Sequence, residues 1–244
     1  MTGLLHIVGL GPGNPELVTP QAMDLLASAT DVFGYTPYVA RVADRTGLRK
    51  HPSDNREEKA RARAALAAAA EGRRAVIVSS GDPGVFAMAA AVFEELEGEP
   101  AWQGLDISVT PGVTAMLAAA AAAGAPLGHD FCVINLSDNL KSWELIAARL
   151  RSAVAADFAI AIYNPRSKAR PDTFANALAL IDAEGGGDRL VVLVRNATLP
   201  DEHVTTRRVR ELDPQDVDMR TLVIVGSTST RRVGKWVYTP RRGS

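Results

Sequence analysis

A single cysteine in 244 residues excludes a disulfide framework and any thiolate metal site. Cys132 lies inside the apolar run Phe131-Cys132-Val133-Ile134, and a chain so poor in thiols suits a reducing, cytoplasmic location. Histidine is nearly as scarce. His6, His51, His129 and His203 are scattered, with no His-x-x-x-His or Glu-x-x-His spacing, so no metal site is expected. Excess charge of either sign is also missing: 27 basic and 28 acidic residues give a formal net charge of −1. No global field therefore recruits nucleic acid or an anionic membrane, and an anionic ligand has to meet a local basic cluster. Long apolar runs are absent as well. Met1-Thr2-Gly3-Leu4-Leu5-His6 has no basic region leading into an apolar core, and the most apolar helical stretch, Ala115 to Ala123, is short and mostly alanine. Neither export nor a membrane span is expected. There is no Gly-x-Ser-x-Gly elbow and no Walker loop.

What is present is the balance of a soluble globular protein, 47% hydrophobic and 23% charged, long enough for one large core or two modest ones. The chain alternates strand and helix patterns. Leu4 to Leu10 is a short apolar strand running into Gly9-Leu10-Gly11-Pro12-Gly13-Asn14-Pro15, with a helix pattern from Thr19-Pro20. Strand, glycine loop and helix invite a dinucleotide-binding reading, but the third glycine comes one place early and the second strand, Asp31-Val32-Phe33, ends in Gly34-Tyr35 rather than an acid. The turn Gly34-Tyr35-Thr36-Pro37-Tyr38 carries two tyrosines that either flank a planar ligand or close a core edge. A long helix over Arg56 to Gly72 ends at its glycine.

The strand Ala75-Val76-Ile77-Val78 leads into Ser79-Ser80-Gly81-Asp82-Pro83-Gly84-Val85-Phe86, a sharp turn into a helix that runs to about Glu97. Alone, such a turn reads equally as an ordinary βα connection, although the carboxyl ends of parallel strands are where α/β sheets bind ligands. A strand over Ile107-Ser108-Val109 ends at Thr110-Pro111-Gly112-Val113-Thr114-Ala115, with Thr114 as helix cap. Gly124-Ala125-Pro126-Leu127-Gly128 clusters glycine and proline and marks the expected boundary between domains 1–124 and 125–244. Beyond it the alternation restarts: strands over Phe131 to Leu136, Phe158 to Tyr163, Leu190 to Val194 and Leu222 to Val225, helices over Trp143 to Leu150 and Pro171 to Ala183. The loop Tyr163-Asn164-Pro165-Arg166-Ser167-Lys168-Ala169-Arg170-Pro171 gathers three cations, enough for carboxylates or a phosphate. Arg195-Asn196-Ala197-Thr198 and Gly226-Ser227-Thr228-Ser229-Thr230 again place polar groups at strand ends.

Four segments in this order resemble the tetrapyrrole methylases over nearly the whole chain: Val8-Gly9-Leu10-Gly11-Pro12-Gly13, Ser80-Gly81-Asp82-Pro83, Pro111-Gly112-Val113-Thr114-Ala115 and Leu222-Val223-Ile224-Val225-Gly226. The resemblance implies an α/β fold of two domains, each a mixed sheet flanked by helices, with the active-site cleft between them. It implies S-adenosylmethionine as cofactor, S-adenosylhomocysteine as product, a tetrapyrrole substrate and a homodimer. Gly34 to Tyr38, Gly128-His129-Asp130-Phe131-Cys132, Leu136-Ser137-Asp138 and Tyr163 to Lys168 are similar to the branch that methylates carbon 17 of a corrin precursor and contracts its ring. Sibling branches act on other ring carbons, on the cobalt-containing precursor, or, as diphthine synthase does, on a non-tetrapyrrole substrate. Carried over residue by residue, the cofactor contacts fall on Leu10, Pro12, Gly81, Asp82, Val85, Phe86, Thr114 and Ala115, and in the second domain on Tyr163, Asn164, Arg195, Asn196 and Thr228. The substrate's carboxylates would meet Arg166, Lys168 and Arg170, and its faces Tyr35 or Tyr38. Asp138, Ser137 and His129, with Asp130 beside it, are the candidates for the proton transfers of ring contraction.

Overall fold

A computed structural model describes residues 3–242, which divide by packing into two compact units meeting at Thr114 and Ala115. The first contains β1 (Leu4–Gly9), α1 (Pro20–Ser28), β2 (Asp31–Tyr35), α2 (Thr36–Val39), β3 (Arg49–Ser53), α3 (Glu58–Ala70), β4 (Arg74–Ser79), α4 (Met88–Glu97) and β5 (Asp106–Thr110). Its five strands lie in the order β3-β2-β4-β1-β5, and every pairing is parallel. The expected mixed sheet is therefore corrected for this unit. A parallel sheet needs helices on both faces, which is why its central strands read as continuous apolar runs. Leu5, Ile7, Leu66 and Ile77 are fully buried in a core under α3 and α4. Each contributes about 2 kcal/mol by leaving water. Val8, Val32, Val76 and Val78 fill the opposite face, where Ala22 of α1 and Val39 of α2 join them.

The second unit runs through α5 (Ala115–Ala123), β6 (Gly124–Ala125), β7 (Phe131–Asn135), α6 (Trp143–Ala155), β8 (Ala159–Tyr163), α7 (Thr173–Ile181), β9 (Leu190–Arg195), β10 (His203–Arg208), β11 (Thr221–Val225), β12 (Arg231–Val233) and β13 (Trp236–Tyr238). Here the sheet is mixed, in the order β10-β9-β11-β8-β7, with β11 antiparallel to both neighbours and β7 parallel to β8. Alternate residues face opposite ways. Ile160, Ile162, Leu193 and Val223 pack under α6 and α7, while Val192, Val194, Leu222 and Ile224 meet Ala119, Ala120 and Ala123 of α5. Alanine's small side chain brings α5 close onto the sheet. That packing ties α5 to the second unit, whereas the glycine and proline cluster at 124–128 had put the division after it. The cluster instead builds β6 and a turn, with Ala125 and Gly124 paired to β13.

Two strands carry no apolar signal. β3 is Arg-Lys-His-Pro-Ser and β10 is His-Val-Thr-Thr-Arg-Arg, and both are sheet edges, where one side faces solvent and proline is tolerated.

Candidate functional site

In the first unit β1 lies between β4 and β5, so parallel pairing brings the loops after all three strands together at one edge of the sheet. They touch backbone to backbone. Gly11 N–H donates to the Gly81 carbonyl at 3.2 Å and Gly81 N–H returns to Gly11 at 2.9 Å. A Cβ placed on Gly112 would sit 2.2 Å from the Gly81 oxygen, and one on Gly9 2.6 Å from the same atom. Only glycine allows this approach. Gly11 and Gly81 also hold φ of +66° and +61°, the left-handed region.

Asp82 organises this loop cluster. One carboxylate oxygen accepts from Gly84 N–H at 2.8 Å and the other from Gly112 N–H at 3.1 Å, so a single side chain ties the second loop to the third. Leu10 is buried, its N–H donating to the Ser79 carbonyl at 2.8 Å and its carbonyl accepting from Arg41, while Pro12, Asp82 and Val85 are half-exposed. Phe86 is 49% exposed at φ +53°, a conformation that costs a bulky residue free energy. Thr114 is buried beneath the third loop, and the Thr110 hydroxyl at the end of β5 is buried without a hydrogen-bond partner.

Tyr35 and Tyr38 pack edge to face at 5.3 Å. Tyr38 is partly buried beside Ser80, and burial above all raises its hydroxyl pKa, which sets it among the loops rather than on an open substrate face.

In the second unit, Tyr163 Oη accepts from Met116 N–H at 3.0 Å, satisfying one of the free donors at the start of α5 beside Ala115. Asn164, at φ +51°, donates to Asn135 Oδ1 at 3.0 Å, and the same oxygen accepts from Ser137 N–H at 2.8 Å. Asn135 had no sequence signal, because its partner stands 29 positions away on the neighbouring strand. Arg195 bonds Asp218 at 3.0 Å, and Asn196, at φ +52°, donates to Asp201 at 2.6 Å. Burial raises the Asp218 pKa, but the Arg220 N–H, the Thr221 hydroxyl and Arg195 outweigh it and hold the carboxyl below the usual range. Asp218 and Arg220 were missed because β11 runs antiparallel, which brings its amino-terminal end beside Asn196.

The same reversal separates Thr228 from this group. Val225 pairs with Ile160 and Val191 at the starts of β8 and β9, so Gly226 to Thr230 lies at the other end of the sheet from Asn164 and Asn196. Five residues of strand span about 17 Å. Thr228 is held there by Asp157, at 2.9 Å through N–H and 2.6 Å through Oγ1. His129 and Asp130 are likewise parted from Ser137 and Asp138, since they precede and follow β7 respectively. One acid–base set cannot include all four. In the cationic loop Arg170 is committed, donating to the Leu136 carbonyl at 3.3 Å and standing 3.7 Å from Asp138. Arg166 donates to the Pro171 carbonyl at 3.2 Å, and Lys168 is exposed. Among the described residues no three His, Cys, Asp or Glu side chains gather as a metal site, and no helix is long and apolar enough to cross a membrane.

The family profile of the tetrapyrrole (corrin/porphyrin) methylases matches residues 4–213. A relative from Sinorhizobium sp, named precorrin-3B C(17)-methyltransferase, is 49% identical, and the alignment covers 99% of this chain and 97% of that one. A Salmonella typhimurium relative named as a probable cobalt-factor III C(17)-methyltransferase is 37% identical, with 98% of each chain covered. A crystal structure of the methyltransferase CobJ superposes with a TM-score of 0.96 at 57% identity, over 98% of this chain and all of that one. Glycine loops packed backbone to backbone at one sheet edge, and similarity that runs almost end to end, lead to one assignment: the chain belongs to the tetrapyrrole methylases.

Proposed function

We propose that the protein transfers a methyl group from S-adenosylmethionine to carbon 17 of precorrin-3B, with ring contraction to precorrin-4. The observation that carries the cofactor is the Gly9, Gly81 and Gly112 cluster, whose missing side chains let the loops after β1, β4 and β5 pack backbone to backbone at the carboxyl edge of a parallel sheet, where open α/β sheets bind ligands. The residues suit it: Pro12, Val85 and Phe86 offer apolar surface, the backbone bonds of Leu10 and Gly81 hold the loops in place, and the buried Thr110 hydroxyl lies unpartnered nearby. Asp82 contributes negative charge that favours a cationic ligand, although both its oxygens are already engaged by N–H groups. When bound, S-adenosylmethionine supplies an activated methyl group on a sulfonium and leaves as S-adenosylhomocysteine. Thr114, Ala115, Tyr163, Asn164, Arg195 and Asn196 are the remaining contacts in this reading, and Thr228 is left out of it on the strand directions above. Because the methyl is already activated, the chain's work is to hold acceptor carbon and methyl in line and keep water out.

Arg166 and Lys168 are assigned to the substrate's carboxylates and Tyr35 to its face: Lys168 is exposed and Arg166 bonds only a carbonyl of its own loop, whereas Arg170 reaches out of the loop to the Leu136 carbonyl and Asp138. Ser137 and Asp138 are assigned to the proton transfers. The metal-free substrate is preferred over the cobalt-containing one because the relative bearing the first name is 49% identical and that bearing the second 37%. A cytoplasmic homodimer completes the proposal, supported by the single unpaired cysteine and by resemblance. The expectation is that methyl-labelled S-adenosylmethionine and a trimethylated precursor yield a labelled, ring-contracted tetrapyrrole heavier by one methyl. Parallel assays with metal-free and cobalt-containing precursors separate the two substrates, and label at another carbon, or none, would sink the reading. Sedimentation of the same preparation tests the dimer.

A further inference from the structure

We propose that the short turn from Tyr38 to Arg41 sets the shape of both glycine loops, which makes Tyr38 and Arg41 positioning residues for cofactor binding; this rests on the methyltransferase reading above. The Arg41 guanidinium donates to three carbonyls of the first loop, Leu10 at 2.5 Å, Gly11 at 3.4 Å and Gly13 at 3.4 Å. Its planar fork of five N–H groups reaches several acceptors at once, which a lysine ammonium on a single flexible stem does less well. In a trans peptide the C=O and N–H point in opposite directions. With the Leu10 carbonyl held toward Arg41, the N–H of the same peptide, that of Gly11, points away, and it donates there to the Gly81 carbonyl at 3.2 Å. Arg41 thus fixes one edge of the peptide whose other edge binds the second loop. The left-handed φ of +66° at Gly11 is maintained by this two-sided grip.

Tyr38 stands against the second loop at Ser80, the residue before Gly81. Tyr38 and Arg41 stand three positions apart on α2 and its end, and Arg41 N–H donates to the Tyr38 carbonyl at 3.1 Å, so they share one helical face. The tyrosine turn, which sequence motifs alone assign to substrate, is on this geometry a brace behind the cofactor loops.

The test is titration calorimetry of S-adenosylhomocysteine against the full chain and its Arg41→Ala, Arg41→Lys and Tyr38→Phe variants, with the acceptor KM at saturating cofactor and the melting temperature measured alongside. Absence of binding by the unaltered protein would overturn the cofactor reading itself. Given binding, Arg41→Ala is expected to weaken it about tenfold, the loss of one charge-assisted hydrogen bond. Tyr38→Phe, which removes the hydroxyl beside Ser80, should weaken it about threefold. Arg41→Lys should fall between the unaltered protein and Arg41→Ala, with the acceptor KM unmoved in every variant. If Arg41→Ala, or Tyr38→Phe should the alanine variant not fold, binds as tightly as the unaltered protein, the brace is overturned and the cofactor reading stands.

Discussion

Asp31 exposes none of its side chain, yet two arginines and a histidine converge on it: Arg49 at 2.8 Å, His51 at 2.9 Å and Arg73 at 3.5 Å, with the Thr30 hydroxyl at 2.8 Å. Burial pushes its pKa up, but the hydrogen bonds from Arg49, His51 and Thr30 and the charge of Arg49 prevail, and the carboxyl titrates below its ordinary 3.8. The sign follows. A carboxyl whose folded pKa is depressed stabilises the fold above its unfolded pKa and loses that contribution as pH falls through the folded value. Stability should therefore drop below about pH 4, and Asp31→Asn should flatten that part of the pH profile. The same change should cost about 2 kcal/mol at neutral pH, short of the 3–5 typical of a broken buried pair because the arginines can turn to solvent. Denaturant melts at several pH values check both outcomes; an unaltered acid limb in Asp31→Asn would remove Asp31 from the account. In the sequence Asp31 is only the first residue of a strand. Its partners come from β3 and the start of β4, so nothing local announces it.

At Gly112, after β5, the constraint is space rather than conformation. Gly112 has no left-handed φ, but a methyl group there would meet the Gly81 oxygen at 2.2 Å and the Gly9 Cα at 3.0 Å, backbone atoms with little room to move. Gly112→Ala should cost about 3 kcal/mol, lower the melting temperature and weaken S-adenosylhomocysteine binding together. A variant as stable and as tight-binding as the unaltered protein would show that the third loop can retreat. These glycine loops were legible beforehand, since glycine and proline after an apolar run mark a turn at a strand end. β3 and β10 were not. An edge strand needs only one partner and keeps a polar side, so its sequence need not show the apolar period that marks a buried strand.

Over the whole molecule, strand direction decides which loops can act together. The first unit's parallel sheet gathers every strand end on one edge, so loops expected to share a role do meet. In the second unit β11 is reversed, and Thr228, although it also follows a strand, sits with Asp157 at the end opposite Asn164 and Asn196. Thr228→Ala should leave S-adenosylhomocysteine affinity unchanged while losing about 1 kcal/mol of stability with the Asp157 bond; calorimetry showing a large loss of affinity would return Thr228 to the site. What the sequence by itself determined is the alternation of strand and helix, the glycine loops and the family, because hydrophobic period, turn residues and motif order are local properties. Only the tertiary structure decided the pairing of Asp31, the placing of α5 with the second sheet, the parting of His129 from Asp138 and the parting of Thr228 from Asn164 and Asn196. Each depends on which strands lie side by side and in which direction they run, and that is settled by contacts between residues far apart in the chain.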